Sequence, residues 1–489
     1  MKKITLLSAL IASTLSVPSF ACTTILVGNQ ATKDGSFIVA RNEDYQANNT
    51  KQFIYHPAEA KQKANFKSNA NDFTYPSAEH ALEYTSLSDY DTKGTSMGEA
   101  GFNSAGVGIS ATETIYNGSK ALAADPYVTK TGIGEDAIEN VILPRVHTAK
   151  EGVELLGKII EKQGASEGFG VAFVDKTGIW YLETGSGHQW MAQKFPADKY
   201  FVSANQGRLS TYKPHNPDYL ASPTLVSFAE NHALYTPVTG EAFNFHKAYS
   251  QDTQNDVTYN YPRVWTLQHM YTQGLKTKID QGENFPVFLT PTHKLTINDV
   301  EQGLRNHYQG TSHDPYANNN PKEPYRPISV FRTQESHILQ VRPSLPIAIG
   351  ETEYMAYGMS ALSVYIPYYQ GMTQVPKALT LGNDKADDQS ANWQFRKLQT
   401  LAMTNWNEFA PIVQKAYQQF EQQTAVKQQV LEKQYLAIYK KEPKKAQALI
   451  NQFEQKAVDD ALTLTHDLTN TLLTKMTHDT DMLYHFEGA

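Results

Sequence analysis

The segment Ala21-Cys22-Thr23-Thr24-Ile25-Leu26-Val27-Gly28 carries the single cysteine of a 489-residue chain at the head of a β-branched, strand-forming run. A turn at Thr32-Lys33-Asp34-Gly35-Ser36 and a second apolar run, Phe37-Ile38-Val39-Ala40, lead into Arg41-Asn42-Glu43-Asp44. Two short strands joined by a glycine-containing turn predict a hairpin, which brings Arg41 and Asp44 back beside Cys22. There Arg41 lowers the thiol pKa, while Asp44 accepts hydrogen bonds from an amine. The competing reading is an ordinary surface ion pair at a strand end.

What precedes Cys22 decides its chemistry. Residues 1–21 have the parts of a secretory signal: Lys2 and Lys3, an apolar run from Ile4 to Val17, and Ser19-Phe20-Ala21 with small residues at the outer positions. Removal of that signal leaves Cys22 as the first residue of a periplasmic or secreted protein. A lipoprotein signal also ends before a cysteine, so a lipidated Cys22 is the alternative; Ser19 stands where such signals carry an aliphatic residue, which favours simple cleavage. A lone cysteine in an exported chain has no internal disulfide partner and is an inert thiol, an intermolecular link or a reactive group. As the first residue, its thiol (unperturbed pKa about 8.5) lies beside an α-amine of pKa about 7.7–8.0, which can take the thiol proton without any histidine.

Cys22-Thr23-Thr24, the Asp34-Gly35 turn and Ala40-Arg41-Asn42-Glu43-Asp44 resemble the opening of the dipeptidase A family of N-terminal-nucleophile (Ntn) hydrolases, which is related to penicillin V acylase and the bile salt hydrolases. The resemblance implies a cysteine nucleophile, amide-bond hydrolysis and an α+β fold built as a four-layer αββα sandwich. It extends to Asn103-Ser104-Ala105-Gly106-Val107-Gly108-Ile109-Ser110-Ala111-Thr112-Glu113-Thr114, where it implies that Thr112 and Glu113 face the substrate. That stretch also reads as a turn feeding an alternating strand, a second hairpin of the same sheet as the first. Lys199 to Ser203 reads as a strand ending near Asn205, whose carboxamide either caps a turn before Gly207 or donates to an oxyanion; the resemblance implies the second. In Tyr259-Asn260-Tyr261-Pro262-Arg263-Val264-Trp265 it implies an arginine near the nucleophile, and the alternative for Arg263 is stacking on Tyr261 or Trp265.

Between these motifs, residues 135–160 show helical spacing interrupted by Pro144 and Gly152, which predicts two shorter helices. Strands are expected over 169–174, 179–183, 190–195 and 336–342, and another sheet-forming block over 346–368. From about Trp393 the pattern turns helical. The expected organisation is a secretory signal (1–21), a catalytic domain (22–385) and a C-terminal helical region (386–489) packed on it.

A formal net charge of −7 leaves no footprint for nucleic acid, and beyond the leader no apolar run approaches the roughly 20 residues of a membrane span. No His-Glu-x-x-His, Cys-x-x-Cys or phosphate-cradling glycine loop occurs, so neither metal nor cofactor is expected. Taken with the resemblance, which implies the peptide substrate and the roles of Asn205 and Arg263, these features predict an exported cysteine peptidase for dipeptides or short peptides, with Cys22, Arg41, Asp44, Asn205 and Arg263 in the catalytic set. An amidase for penicillin V or bile-acid-like amides and a lipid-anchored peptide-binding protein are the alternatives. The C-terminal helices offer a surface for a homo-oligomer.

Overall fold

A computed structural model describes residues 22–90, 97–238 and 240–484; the secretory signal expected over residues 1–21 lies outside them. The β-branched run forms the strand Thr23–Val27 and the second run forms Phe37–Asp44. Asp34 shapes the turn between them by accepting from the backbone N–H (3.1 Å) and hydroxyl (2.6 Å) of Ser36, and Gly35 supplies the positive φ (76°). The expected hairpin is therefore present, with Thr23 opposite Asn42 and Val27 opposite Ile38.

Two antiparallel six-stranded sheets dominate the protein. The first runs, edge to edge, Tyr200–Ser203, Thr23–Val27, Phe37–Asp44, Thr333–Val341, Glu351–Tyr357 and Ile366–Tyr369. The second runs Tyr219–Ala221, Trp190–Lys194, Gly178–Thr184, Phe169–Asp175, Gly108–Thr114 and Ala100–Phe102. The Ala100–Thr114 hairpin thus belongs to the other sheet, not to that of Cys22. Alternation within a hairpin fixes which side chains share a face, but not which sheet receives it.

The faces separate by side-chain parity. Leu26, Phe37, Val39, Leu339 and Val341 of the first sheet pack with Phe102, Ala172, Val174, Ile179, Tyr181 and Met191 of the second, forming one core between the sheets. On the far side of the first sheet, Ile25, Val27, Ile38, Ala40 and Ile338 pack with Val264, Leu267, Val300 and Leu304, from the helices Tyr261–Tyr271 and Ile297–Leu304. On the far side of the second, Ile109, Val171, Phe173, Trp180 and Leu182 pack with Ile138, Val141, Val153, Leu156 and Ile160. Those last side chains come from Glu135–Ile142 and Ala149–Gln163, the two helices expected there. Pro144 does separate them, inside the 3-10 turn Leu143–Arg145. Gly152 does not: it lies within the second helix, where an added Cβ would meet the Phe173 ring at 2.6 Å, so it is glycine for close packing.

The C-terminal region forms three helices, Ala391–Thr404, Trp406–Ile438 and Pro443–Leu483. Their side chains Phe395, Leu398, Val413, Tyr417, Ile450 and Val458 share a core with Tyr357, Ile366 and Tyr368 of the first sheet. Burying that stripe is what holds helices whose other faces are rich in Gln and Lys. No helix among the described residues is long and apolar enough to cross a membrane.

Gly28 ends the first strand under the backbone of the 196–197 turn, and a Cβ there would lie 2.3 Å from the Ala197 carbonyl oxygen. Gly28→Ala is expected to push the Cys22 strand away from its neighbour and to cost about 1–3 kcal/mol in denaturant unfolding.

Candidate active site

Cys22 heads the strand Thr23–Val27, which has a partner on each side. Carried one residue on, the register with Phe37–Asp44 sets Cys22 opposite Glu43; carried two residues on, the register with Tyr200–Ser203 sets it opposite Asn205. Strand alternation then sorts the motif Arg41-Asn42-Glu43-Asp44. Arg41 and Glu43 point with the thiol into the space between the sheets, and Asn42 and Asp44 point to the opposite face. Arg41 Nη1 lies 3.4 Å from the Cys22 sulfur, and the thiol donates to Glu43 Oε2 at 3.1 Å. Asn42 Nδ2 donates to the Leu304 carbonyl at 2.9 Å, and the Asp44 carboxylate accepts from Arg326 and the Thr333 hydroxyl. The carboxylate that meets the sulfur is thus Glu43, which the sequence motif contains but which was not singled out; the two-residue spacing from Arg41 was the signal.

Arg41 ties the two sheets together. Its Nε donates to Ser110 Oγ (3.1 Å), its Nη1 to Glu43 and the Thr112 carbonyl (2.6 Å), and its Nη2 to Glu99 Oε2 (2.8 Å). Lys51 pairs with Asp89 (2.5 Å) and Glu99 (3.4 Å). Oxygens of Glu43, Glu99 and Glu135 lie within 4.8 Å of one another, all buried. That is a geometry open to a metal ion, but Arg41 already bridges Glu43 and Glu99, so a cation entering there displaces it. Burial pushes the Glu43 and Glu99 carboxyls up to about 8 each, against the pull of Arg41, and drives Glu135 well above the usual range. Two cations serve more than two buried acids, so the cluster retains a proton at neutral pH. Burial, reinforced by Glu43, also drives the Cys22 thiol well above its ordinary value, with Arg41 opposing. While the nitrogen of Cys22 is the amide to Ala21, this residue carries no free α-amine to take the thiol proton.

Arg263 arrives from the helix Tyr261–Tyr271 and is fully buried. Its Nε donates to the Tyr259 carbonyl (2.8 Å), Nη1 to the Cys22 carbonyl (2.5 Å) and Thr23 Oγ1 (2.9 Å), and Nη2 to Asn205 Oδ1 (2.8 Å) and Asn260 Oδ1 (2.6 Å). A guanidinium has five N–H groups, and these five acceptors use them all. Arg263 therefore acts through Cys22 and Asn205, which it holds in place, and not by direct contact with a bound molecule. Its ring contact is with Tyr259, 5.1 Å to the centroid, and not with Tyr261 or Trp265. By taking Asn205 Oδ1, it turns the amide so that Nδ2 is the donating end, which reaches the Thr114 carbonyl at 3.2 Å.

Thr112 and Glu113 reach the site from the second sheet. Thr112 gives its carbonyl to Arg41 and its hydroxyl to Glu135 Oε1 (2.5 Å). Glu113 Oε2 accepts from the Thr24 hydroxyl at 2.7 Å, and burial pushes its carboxyl up to about 7. The structure thus brings Cys22, Arg41, Asn205, Arg263, Thr112 and Glu113 together, and sets Asp44 behind them on the other face of the strand. Asn260 lies inside a quoted motif, yet nothing local marked it; Glu99 precedes the Asn103–Thr114 stretch, and Arg326 comes from an irregular stretch, neither with a sequence signal.

Two outcomes follow from these contacts. Arg263→Lys leaves at least two of the five buried acceptors unmet, and each is expected to cost about 1–3 kcal/mol in chemical denaturation. Unfolded carboxyls release their protons near pH 4.3, whereas folded Glu43 and Glu99 hold theirs to about 8. Between those limits the folded chain binds more protons than the unfolded one, so stability falls as pH rises from about 5 to 8. Denaturation midpoints across that window should show the decline, and Glu99→Gln should flatten it.

The chain matches the model of peptidase family C69 over residues 21–419. A probable dipeptidase from Salmonella dublin is 66% identical over 353 residues, 72% of this chain and 81% of the relative. A probable dipeptidase A from Streptococcus pyogenes serotype M3 is 35% identical over 396 residues, 79% of this chain and 84% of the relative. Among solved structures, a variant of conjugated bile acid hydrolase from Clostridium perfringens aligns at 14% identity and a TM-score of 0.31, covering 74% of this chain and 95% of that one, a likeness too slight to bear on the fold. The family match spans the Cys22 motif, both sheets and every residue of the site, and the chain accordingly belongs to peptidase family C69, as its opening motifs led us to expect, and is a peptide hydrolase.

Proposed function

We propose that the protein is an exported cysteine dipeptidase of the Ntn type, active once residues 1–21 have been removed, in the periplasm or outside the cell. The observation that carries this reading is the convergence on Cys22 of Arg41, Asn205 and Arg263 from three different elements. The dipeptidase names of relatives that cover most of the chain support the substrate class. In this reading the two packed sheets with helices on their outer faces are the four-layer αββα sandwich of that class.

Each group then has a task. The liberated α-amine of Cys22 takes the thiol proton, and the sulfur attacks the scissile carbonyl carbon. Asn205 Nδ2 donates to the developing oxyanion, and Arg41 supplies positive charge beside the sulfur. Asp44, whose carboxylate holds Arg326 and the Thr333 hydroxyl on the far face of the strand, fixes the strand end that carries the amine. As the C–N bond breaks, the protonated amine passes its proton to the leaving amino group, leaving an acyl-thioester; a water then attacks the thioester and Cys22 recovers its proton. Release of the amine also adds a positive charge to a cluster rich in buried carboxylates, which favours thiolate over thiol.

Cys22→Ala is expected to abolish dipeptide hydrolysis. A chain that retains residues 1–21 should be at least about 1,000-fold slower than the processed enzyme, because its base is tied up as an amide. Equal turnover by the two forms, measured on one dipeptide with the N-terminus of each confirmed by intact mass, would falsify the mechanism.

A further inference from the structure

We infer that Glu113 is the anchor for the protonated α-amino group of the substrate, so that the site selects peptides with a free N-terminus. This rests on the hydrolase reading above and adds the residue that enforces it. Five carboxylates surround the strand end, and four are engaged, Glu99 with Arg41 and Lys51. Glu43 holds the thiol and Arg41, Asp44 holds Arg326 and Thr333, and Glu135 Oε1 holds the hydroxyl and, at 3.3 Å, the N–H of Thr112. Glu113 differs. Its Oε2 is fixed by the Thr24 hydroxyl, while Oε1 is buried with no hydrogen-bond partner among the described residues.

Arg263 and Arg41 act on Glu113 through space and favour its charged form, but spend their N–H groups on other acceptors. A buried carboxylate oxygen kept open, with its twin pinned by a hydroxyl, suits an incoming ammonium.

Position agrees with chemistry. Thr24 lies two residues beyond Cys22 on the same face of the strand, a spacing of roughly 7 Å, and Glu113 sits on its hydroxyl. In a peptide with a free N-terminus, the amino nitrogen is about 2.5 Å from the first carbonyl carbon. A sulfur poised about 3–3.5 Å from that carbon, with a charge-assisted hydrogen bond of about 2.7–2.9 Å at the nitrogen, reaches about 8–9 Å when extended and less when bent, which is enough to cover that spacing. The bond presented to Cys22 is then the first peptide bond. The acyl part released is one residue long, which an Nα-acylated peptide cannot match without burying Oε1 unpaired.

The test compares a dipeptide with its Nα-acetylated counterpart on processed enzyme. The wild type should prefer the free amine by about 100-fold or more in kcat/KM. Glu113→Gln should lower kcat/KM for the free dipeptide by about 30-fold or more, chiefly through KM, and leave the acetylated one within about threefold. Thr24→Val, which keeps the carboxylate but frees it to turn, should move the ratio the same way by a smaller factor, and it serves if the Gln variant does not fold. Calorimetric binding of both compounds to Cys22→Ala protein should show the same preference without turnover. A Gln variant that keeps its discrimination, or loses both substrates equally, overturns the inference. Wild-type enzyme that cleaves both compounds equally leaves the dipeptidase reading standing and removes only Glu113 from it. Wild-type enzyme that cleaves neither removes the hydrolase reading itself.

Discussion

Antiparallel pairing of Thr23–Val27 with a strand on each side is the constraint on which the site depends. A strand paired along both edges has no freedom to slip, because a shift by one residue would turn Ile25 and Val27 into the inter-sheet core and Leu26 out of it. The same lock fixes the height of Cys22 relative to Glu43 on one side and Asn205 on the other. Position of Cys22 is thus a by-product of burying aliphatic side chains on both faces of one sheet.

Electrostatics supply the second constraint. The space between the sheets is apolar over most of its extent but ends, beside Cys22, in a buried group of carboxylates held by Arg41 and Lys51. Such a cluster is a poor source of stability, since each acid sacrifices hydration that its ion pairs only partly restore. In the mechanism proposed above, one more positive charge, that of a liberated Cys22 amine, would tune it; with the Cys22 nitrogen in an amide, burial and then Glu43 hold the thiol well above its ordinary range, against Arg41.

Arg263 shows how rigidity is achieved without a further acid. Its fork links the Cys22 backbone, Thr23, Asn205, Asn260 and Tyr259, drawing three separate parts of the chain onto one planar group. Burial and the nearby Arg326 push its guanidinium down to about 10, yet it stays charged at neutral pH. Charge and geometry come from the same side chain, and a lysine would deliver only the first.

Much of this was legible in the residues. The hairpin that brings Arg41 to Cys22 followed from two β-branched runs and an Asp-Gly turn, and the helices from 3.6-residue spacing, whereas Asn205, Arg263, Thr112 and Glu113 were singled out by resemblance to a family and not by local pattern. The first two are local signals, fixed by side-chain chemistry within a few residues. What the residues did not reveal was non-local. Assignment of the Ala100–Thr114 hairpin to the second sheet, entry of Thr333–Val341 beside Phe37–Asp44, and delivery of Arg326 to Asp44 each join segments far apart in sequence, and no local propensity encodes them. Glu43 at the sulfur is the intermediate case. Both acids stood in the motif and Asp44 was expected beside the amine; the strand's pairing and the packing of its two faces decided that Glu43 is the one turned inward to the thiol.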